Sequence, residues 1–257
     1  MLFRSLCAAQ VAAQPYPSKP IRIVVPFPAG GTTDIAARLV AQKMGESMGQ
    51  PFVVENRGGA GGTIGADAVA KSAPDGYTLL MHNVTFPLAS VSLALQNRLP
   101  YNVDTDFAGV SIVVNVPLVI TASPAIPAKD LKELAALLQK DPTLKYSFGS
   151  TGPGSFMHVI GEAFKKEAKV EMTHVPFKGA APLKQELLAG RLEVGGDQLS
   201  SSLAEIKTGK LKALATHGAK RIPELPDVPT VRELGYAALE LEGWNGLFVA
   251  AKTPKEI

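Results

Sequence analysis

Short β-branched apolar runs alternate along this chain with longer stretches in which apolar residues recur every three or four positions. Residues 21–26, Ile-Arg-Ile-Val-Val-Pro, predict a buried strand, and residues 52–55 and 77–81 predict two more. Between the first two, residues 34–48 read as a helix with Ile35, Leu39, Val40 and Met44 on one face, Thr32 or Thr33 as N-cap, and Asp34 in the first turn. A second helix extends to residue 71 before the turn Pro74-Asp75-Gly76. The order β-α-β-α-β predicts a parallel sheet covered by helices, an α/β fold.

From Phe107 the pattern changes. Residues 110–121 form a long apolar run broken by Pro117, either one long strand or two short ones, where the chain is expected to cross into a second domain. A second α/β series follows, with helices over 129–140, 155–166, 181–188 and 200–207 and strands over 144–148, 172–175, 192–194 and 211–216. The helix over 155–166 places Phe156, Val159, Ile160, Ala163 and Phe164 on one side. Proline-rich residues 223–229 read as a second crossing, followed by a short helix over 231–234 and a strand within 240–249 in which Trp244 reads as core. A chain that leaves a domain and returns to it is the arrangement of a hinged two-lobe binding protein, with a cleft near the carboxyl ends of the strands. The expected division is 16–121 plus 224–257 for one lobe and 122–223 for the other, with 1–15 outside both.

Four glycine-rich turns punctuate these elements: Phe27-Pro28-Ala29-Gly30-Gly31-Thr32-Thr33-Asp34, Gly58-Gly59-Ala60-Gly61-Gly62-Thr63-Ile64-Gly65, Ser150-Thr151-Gly152-Pro153-Gly154-Ser155 and Phe177-Lys178-Gly179-Ala180. A glycine turn that feeds a helix presents backbone N–H groups at the positive end of the helix dipole, where carboxylate or phosphate binds. The first turn reads as the grip on an acid, the third and fourth as a closing jaw, and the second as packing. The second nearly imitates a dinucleotide fingerprint, but position 64 is isoleucine rather than glycine. No P-loop motif occurs.

Composition narrows the chemistry. The 257 residues are 46% hydrophobic, enough for one large or two modest domains. Lys+Arg number 26 against 23 Asp+Glu, no basic run occurs, and aromatics are 6%, which argues against a nucleic-acid partner. The single cysteine, Cys7, excludes an intrachain disulfide, and His82, His158, His174 and His217 lack ligand spacing, so neither a metal nor a cofactor is expected. Arg4 and the small residues up to Gln14 read as the end of a secretory signal peptide, the alternative being a disordered leader. No later apolar stretch is long enough to span a bilayer.

Several stretches occur together in one order: Tyr16-Pro17-Ser18-Lys19-Pro20-Ile21-Arg22, Val25-Pro26-Phe27-Pro28-Ala29-Gly30-Gly31-Thr32-Thr33-Asp34, Val54-Glu55-Asn56-Arg57, Gly59-Ala60-Gly61-Gly62 and Pro74-Asp75-Gly76-Tyr77-Thr78-Leu79. They continue with Asp106-Phe107, Gly152-Pro153-Gly154-Ser155 with His158, His174-Val175-Pro176-Phe177-Lys178-Gly179, Pro226-Asp227-Val228-Pro229-Thr230 and Trp244. On these motifs the chain resembles the Bug family of periplasmic solute-binding proteins, also called the tripartite tricarboxylate transporter receptor family.

The resemblance implies a two-lobe, type II Venus-flytrap fold with a parallel-rich sheet flanked by helices in each lobe. It implies a periplasmic, non-enzymatic protein that captures a small carboxylate (a di- or tricarboxylate, acidic amino acid or aromatic acid), with bridging waters. Delivery would be to the two membrane permease subunits of a tripartite tricarboxylate transporter. Carried over to this chain, first-lobe contacts fall on Phe27, Ala29, Gly30, Gly31, Thr32 and Asp34, with Asn83 and Thr85 beside them. Second-lobe contacts fall on Ser150, Thr151, Gly154, Ser155, His158, Lys178 and Asp197. Gly58 and Phe177 stand where the family usually has proline and tyrosine, and Pro100-Tyr101-Asn102-Val103 replaces the usual Pro-Tyr-Asp-Pro. Family members continue past Ile257 into helices that complete the first lobe, so a truncated chain with exposed apolar surface is expected.

Two other readings compete. Ser155 and His158, three residues apart on one helix, could serve a hydrolase, but a nucleophile elbow needs Gly-x-Ser-x-Gly, which Gly154-Ser155-Phe156 does not supply; Ser155 reads better as an N-cap or ligand donor. A sensor subunit presenting its ligand to a membrane kinase is the other. His174, at a strand end, reads as structural. Asp197 would repel an anion directly, so it reads as a partner for an amine, a hydroxyl, a water or Lys178.

Overall fold

A computed structural model describes residues 16–257; the leader expectation and Cys7 lie outside the described residues. The first sheet contains β1 (Ile21–Val25), β2 (Phe52–Asn56), β3 (Thr78–Asn83), β4 (Phe107–Asn115) and β10 (Trp244–Ala250) in the order β2-β1-β3-β10-β4. The second contains β5 (Leu118–Ala122), β6 (Ser147–Ser150), β7 (Thr173–Pro176), β8 (Val194–Gln198) and β9 (Lys212–Thr216) in the order β7-β6-β8-β5-β9. β1 is parallel to β2 and β3, and β6 to β7 and β8. In each sheet the strand entered directly after a crossing, β10 or β5, runs antiparallel to both neighbours. This is the two-lobe α/β architecture that the motifs imply.

β1 is buried on both faces, as a central parallel strand requires. Ile21, Ile23 and Val25 point to one side, where Ala37 and Ala41 of α1 (Thr32–Met48) cover them. Val24 points to the other, toward Ala66 and Val69 of α2 (Thr63–Ala70) and Phe86 of α3 (Thr85–Ala94). The α1 stripe differs from expectation. Ile35 and Leu39 are 42% and 61% exposed, and the sheet side carries Ala37 and Ala41 with Val40 and Met44 beside them. Alanines let the helix lie close to the sheet. The N-cap is Gly31, without a side-chain cap, rather than Thr32 or Thr33, and Gly49 ends the helix in the left-handed conformation.

The second lobe packs α5 (Leu131–Lys140) and α6 (Phe156–Ala168) on its sheet through Leu131, Leu134, Phe156, Ile160 and Phe164. Val159 of α6 faces outward, and Met157 takes a core position instead. α7 (Ala180–Leu188) covers the same sheet through Leu183 and Leu187. The helix expected over 200–207 is a 3₁₀ turn, Leu199–Ser201, followed by α8 (Leu203–Lys207), and residues 231–234 form turns rather than a helix. Two helices were not anticipated: α3, and α4 (Val103–Asp106) capped by Asn102.

The crossings lie elsewhere than the sequence places them. Pro117 divides the 110–121 run into β4 of the first sheet and β5 of the second, so the first crossing is Val116-Pro117. Residues 223–229 do not cross. Thr216 and Thr230 form a bridge, Val231 and Leu239 are buried in the second-lobe core, and the chain returns at Gly243-Trp244. The two crossings touch: Val116 N–H donates to Gly243 O at 2.9 Å, and a Cβ on Gly243 would lie 2.2 Å from Val116 O. Only glycine permits that approach. β4, at the edge of its sheet, exposes Val110 and Ile112.

Candidate ligand-binding cleft

The first glycine turn is built by side chains behind it. Gly30 N–H donates to Asp34 Oδ2 at 3.0 Å, and Asn56 Nδ2 donates to Asp34 Oδ1 at 2.9 Å and to Phe27 O at 3.0 Å. Arg38 closes an ion pair with the same carboxylate at 3.0 Å. Burial alone would raise the Asp34 carboxyl, but these bonds to Arg38, Gly30 and Asn56 outweigh it and hold the group below the usual carboxylate range. Asp34 therefore shapes the turn, and Thr32 and Thr33 are the helix-end residues left facing the other lobe.

Between the lobes lies a polar cavity. The first lobe contributes Phe27, Pro28, Gly31, Thr32, Thr33, Asn83 and Thr85; the second contributes Thr151, Phe156, Ala180, Asp197 and Gln198. Its volume is about 20 Å³, room for roughly one water. Thr32, Thr85, Phe156 and Ala180 are the first residues of α1, α3, α6 and α7, so four helix N-termini converge on it. Among the described residues no lysine or arginine lines it, and the one charged lining group is Asp197. A larger hollow of about 600 Å³, beside α3 and residues 97–104, is lined from the first lobe alone and lacks this convergence of polar groups.

A buried chain of amides and hydroxyls underlies the cavity. Asn83 Oδ1 accepts from Thr85 N–H at 3.0 Å, and Asn83 Nδ2 donates to Thr33 Oγ1 at 2.9 Å. Thr33 Oγ1 donates to Asn245 Oδ1 at 2.8 Å, and Asn245 Nδ2 donates to Gln198 Oε1 of the other lobe at 3.1 Å. Gln198 Nε2 completes the chain on Trp244 O at 3.3 Å. Trp244 itself packs against the cores of both lobes.

The lobes also touch directly around the cavity. Thr32 Oγ1 and Ser200 Oγ are 2.7 Å apart. A Cβ on Gly179 would meet Pro28 Cδ at 2.5 Å, and one on Gly61 would meet Pro153 O at 2.9 Å. The second glycine turn thus packs, as expected, and also meets the opposite lobe.

Of the residues singled out in the sequence, Phe27, Gly31, Thr32, Asn83, Thr85, Thr151 and Asp197 line the cavity; Ala29, Gly30, Asp34, Ser150, Gly154, Ser155, His158 and Lys178 do not. The third turn spends its donors on itself. Gly152 N–H goes to Ser150 Oγ at 3.2 Å, Gly154 N–H to His158 Nδ1 at 3.0 Å and Ser155 N–H to Gly152 O at 3.1 Å. The His158 ring stacks on His174 at 4.1 Å, and His174 Nε2 lies 2.7 Å from Ser150 Oγ; burial pulls both imidazoles below their ordinary pKa. Ser155 Oγ is buried without a hydrogen-bond partner among the described residues, and it is not bonded to His158. Lys178 is exposed and does not pair with Asp197, which instead accepts from Ser201 Oγ. Burial pushes the Asp197 carboxyl up to about 6.

Pro28, Thr33, Phe156, Ala180, Gln198, Ser200 and Asn245 belong to the cleft but were not singled out as contacts. Pro28 and Thr33 stand inside the first turn, and Gln198 follows Asp197. Asn245 is an amide within an apolar strand, a signal that could have marked it. Among the described residues no His, Cys, Asp or Glu group is arranged to hold a metal, and no helix is long and apolar enough to cross a membrane.

Two lobes closed over a small polar cavity at converging helix ends define a solute-binding protein. Residues 36–257 match the family described as tripartite tricarboxylate transporter family receptor. Protein BugT of Bordetella pertussis is 40% identical over 250 residues, which is 97% of this chain and 76% of BugT. The periplasmic binding protein BugD superposes with a TM-score of 0.87 at 38% identity, over 94% of this chain and 79% of that one. MatC from Rhodopseudomonas palustris with bound malate gives 0.86 at 35% identity, over 94% of this chain and 81% of MatC. An R. palustris relative with adipate gives 0.83 at 33% identity, over 94% and 80%. The chain belongs to the Bug, or tripartite tricarboxylate transporter receptor, family of periplasmic solute-binding proteins.

Proposed function

We propose that this protein captures a small carboxylate in the periplasm and hands it to the membrane permease subunits of a tripartite tricarboxylate transporter. The observation that carries the reading is the convergence of four helix N-termini on a cavity that, among the described residues, no cationic side chain lines. Unpaired N–H groups at helix starts, with hydroxyls beside them, hold an anion through fixed dipoles. Malate in MatC and adipate in the second R. palustris relative fit the same chemistry.

The carboxylate sits against Gly31, Thr32, Thr33 and Thr85, with Thr151 and the start of α7 closing from the other side and ordered waters bridging the remainder. A cavity of about 20 Å³ is too small for any dicarboxylate, so the lobes part to admit the ligand and its contacts with both lobes favour reclosure. Native mass spectrometry of the protein purified without denaturation from its own periplasm tests this. The expected result is a co-purifying small acid that dialysis removes and the same acid restores. Absence of any bound acid, together with failure of malate, adipate, citrate, glutamate and benzoate to bind, overturns it.

A further inference from the structure

We propose that Asp197 makes this cleft selective for carboxylates that carry a second hydrogen-bond donor, a hydroxyl or an ammonium group. The inference rests on the carboxylate reading and narrows it. Asp197 lies near the end of β8, on the second-lobe wall, across from the starts of α1 and α3. The first-lobe wall thus offers helix N-termini alone, suited to an anion, whereas the second-lobe wall sets an acid beside the starts of α6 and α7.

Nothing in the lining neutralises that acid. The cation whose charge acts on it is Lys184 of α7, whose ammonium is spent on Ser201 O at 2.6 Å and Glu205 Oε1 at 2.8 Å. Ser201 Oγ supplies a hydrogen bond, which occupies one of about four acceptor positions on a carboxylate. In the closed site, acceptor capacity that water leaves unfilled costs free energy unless a ligand donor fills it. The raised affinity of this carboxyl for a proton, caused by burial, is the same demand for a donor expressed toward the smallest one. A hydroxyl or ammonium group meets it. A plain dicarboxylate that reaches this wall sets anion against anion.

Isothermal titration calorimetry on acids that differ only in the donor tests the proposal: malate and aspartate against succinate, and 2-hydroxyglutarate against glutarate. The wild-type protein is expected to bind the donor-bearing member at least about tenfold more tightly, the range of a hydrogen bond to a charged group. Asp197→Ala is expected to bring the members of each pair within about threefold, and Asp197→Asn to weaken the ammonium ligand more than the hydroxyl one. Equal affinities within every pair in the wild type, or a preference that survives both substitutions, overturns this proposal and leaves the carboxylate reading intact. Failure of every acid to bind overturns both. The wild-type comparison decides even if a variant does not fold.

Discussion

Thr32 of the first lobe and Ser200 of the second stand hydroxyl to hydroxyl at 2.7 Å, joining positions 168 residues apart in sequence beside the cleft. The bond exists only while the lobes are closed, so it contributes to ligand affinity through the closed state. Ser200→Ala is expected to weaken binding about fivefold, the equivalent of roughly 1 kcal/mol for one neutral hydrogen bond. Thr32→Val should cost more, because Thr32 also lines the cavity. Titration calorimetry of the double variant should show no further loss from Ser200→Ala once Thr32 is gone; additive losses would mean that the two do not act as a pair.

Gly179 lets the start of α7 pass under Pro28. Its φ is +156°, and a Cβ there would meet Pro28 Cδ at 2.5 Å. The clash arises between lobes rather than within one. Gly179→Ala is expected to reduce affinity at least about tenfold while circular dichroism keeps its wild-type shape. Small-angle scattering with saturating ligand should give a radius of gyration that stays at its open value. Ordinary closure of the variant would refute the role assigned to Gly179. Gly61→Ala, facing Pro153 O, is the matching test from the other lobe.

Asn56 holds the first turn through Phe27 O and Asp34 Oδ1. Asn56→Ala strips two bonds from largely buried acceptors, a cost of about 1–3 kcal/mol. The melting temperature should fall by several degrees and ligand affinity with it. An unchanged melting temperature would show that Arg38 and Gly30 suffice to fix Asp34.

Acid should destabilise the fold through its buried imidazoles. Burial drops the pKa of His82 to about 3 and that of His217 to about 4, from 6.5. Their contribution is complete above about pH 6.5 and is lost as pH falls below it, because the unfolded chain then binds protons that the folded chain refuses. Asp197 works in the opposite sense. Its carboxyl is raised from 3.8 to about 6, so the folded chain binds the extra proton between those values and stability falls as pH rises through them. Two imidazoles outweigh one carboxyl, so thermal denaturation should show a lower midpoint at pH 5 than at pH 7.5. Asp197→Asn should raise the midpoint at pH 7.5, corresponding to a stability gain on the order of 1–3 kcal/mol, and steepen the loss toward acid. A midpoint that rises on acidification would contradict the imidazole assignment, and a pH profile left unchanged by Asp197→Asn would contradict the carboxyl one.

The fold was legible where local pattern decides it. The apolar runs of β1, β2 and β3 and the glycine turn before α1 locate one half of the first lobe with errors of a residue or two. The crossings were not, because their position depends on which core receives a segment. Val231 and Leu239 look in sequence like any apolar residues of a returning chain, yet they are buried in the second lobe. α3 was missed because Thr-Phe-Pro-Leu-Ala-Ser-Val-Ser-Leu-Ala lacks charged residues and a clear polar face. Of the cavity lining, Phe27, Gly31, Thr32 and Thr151 stand in the glycine turns themselves, whereas Asn83 and Thr85 follow only from the family resemblance. Asp34 and His158 were also singled out, but their side chains serve the turns from behind, a distinction that depends on where hydrogen bonds go. Gln198 and Asn245 meet only because the two sheets do, 47 residues apart in sequence.

On the proposed reading, helix N-termini between the lobes hold the charge of a carboxylate. Titration calorimetry of malate and adipate against their uncharged amides, malamide and adipamide, tests it most directly, since the pairs share shape and differ in charge. The expected result is that at least one acid binds and its amide binds at least about a hundredfold more weakly, as loss of charge-assisted bonds to several helix ends requires. An amide that binds as tightly as its acid would overturn that reading.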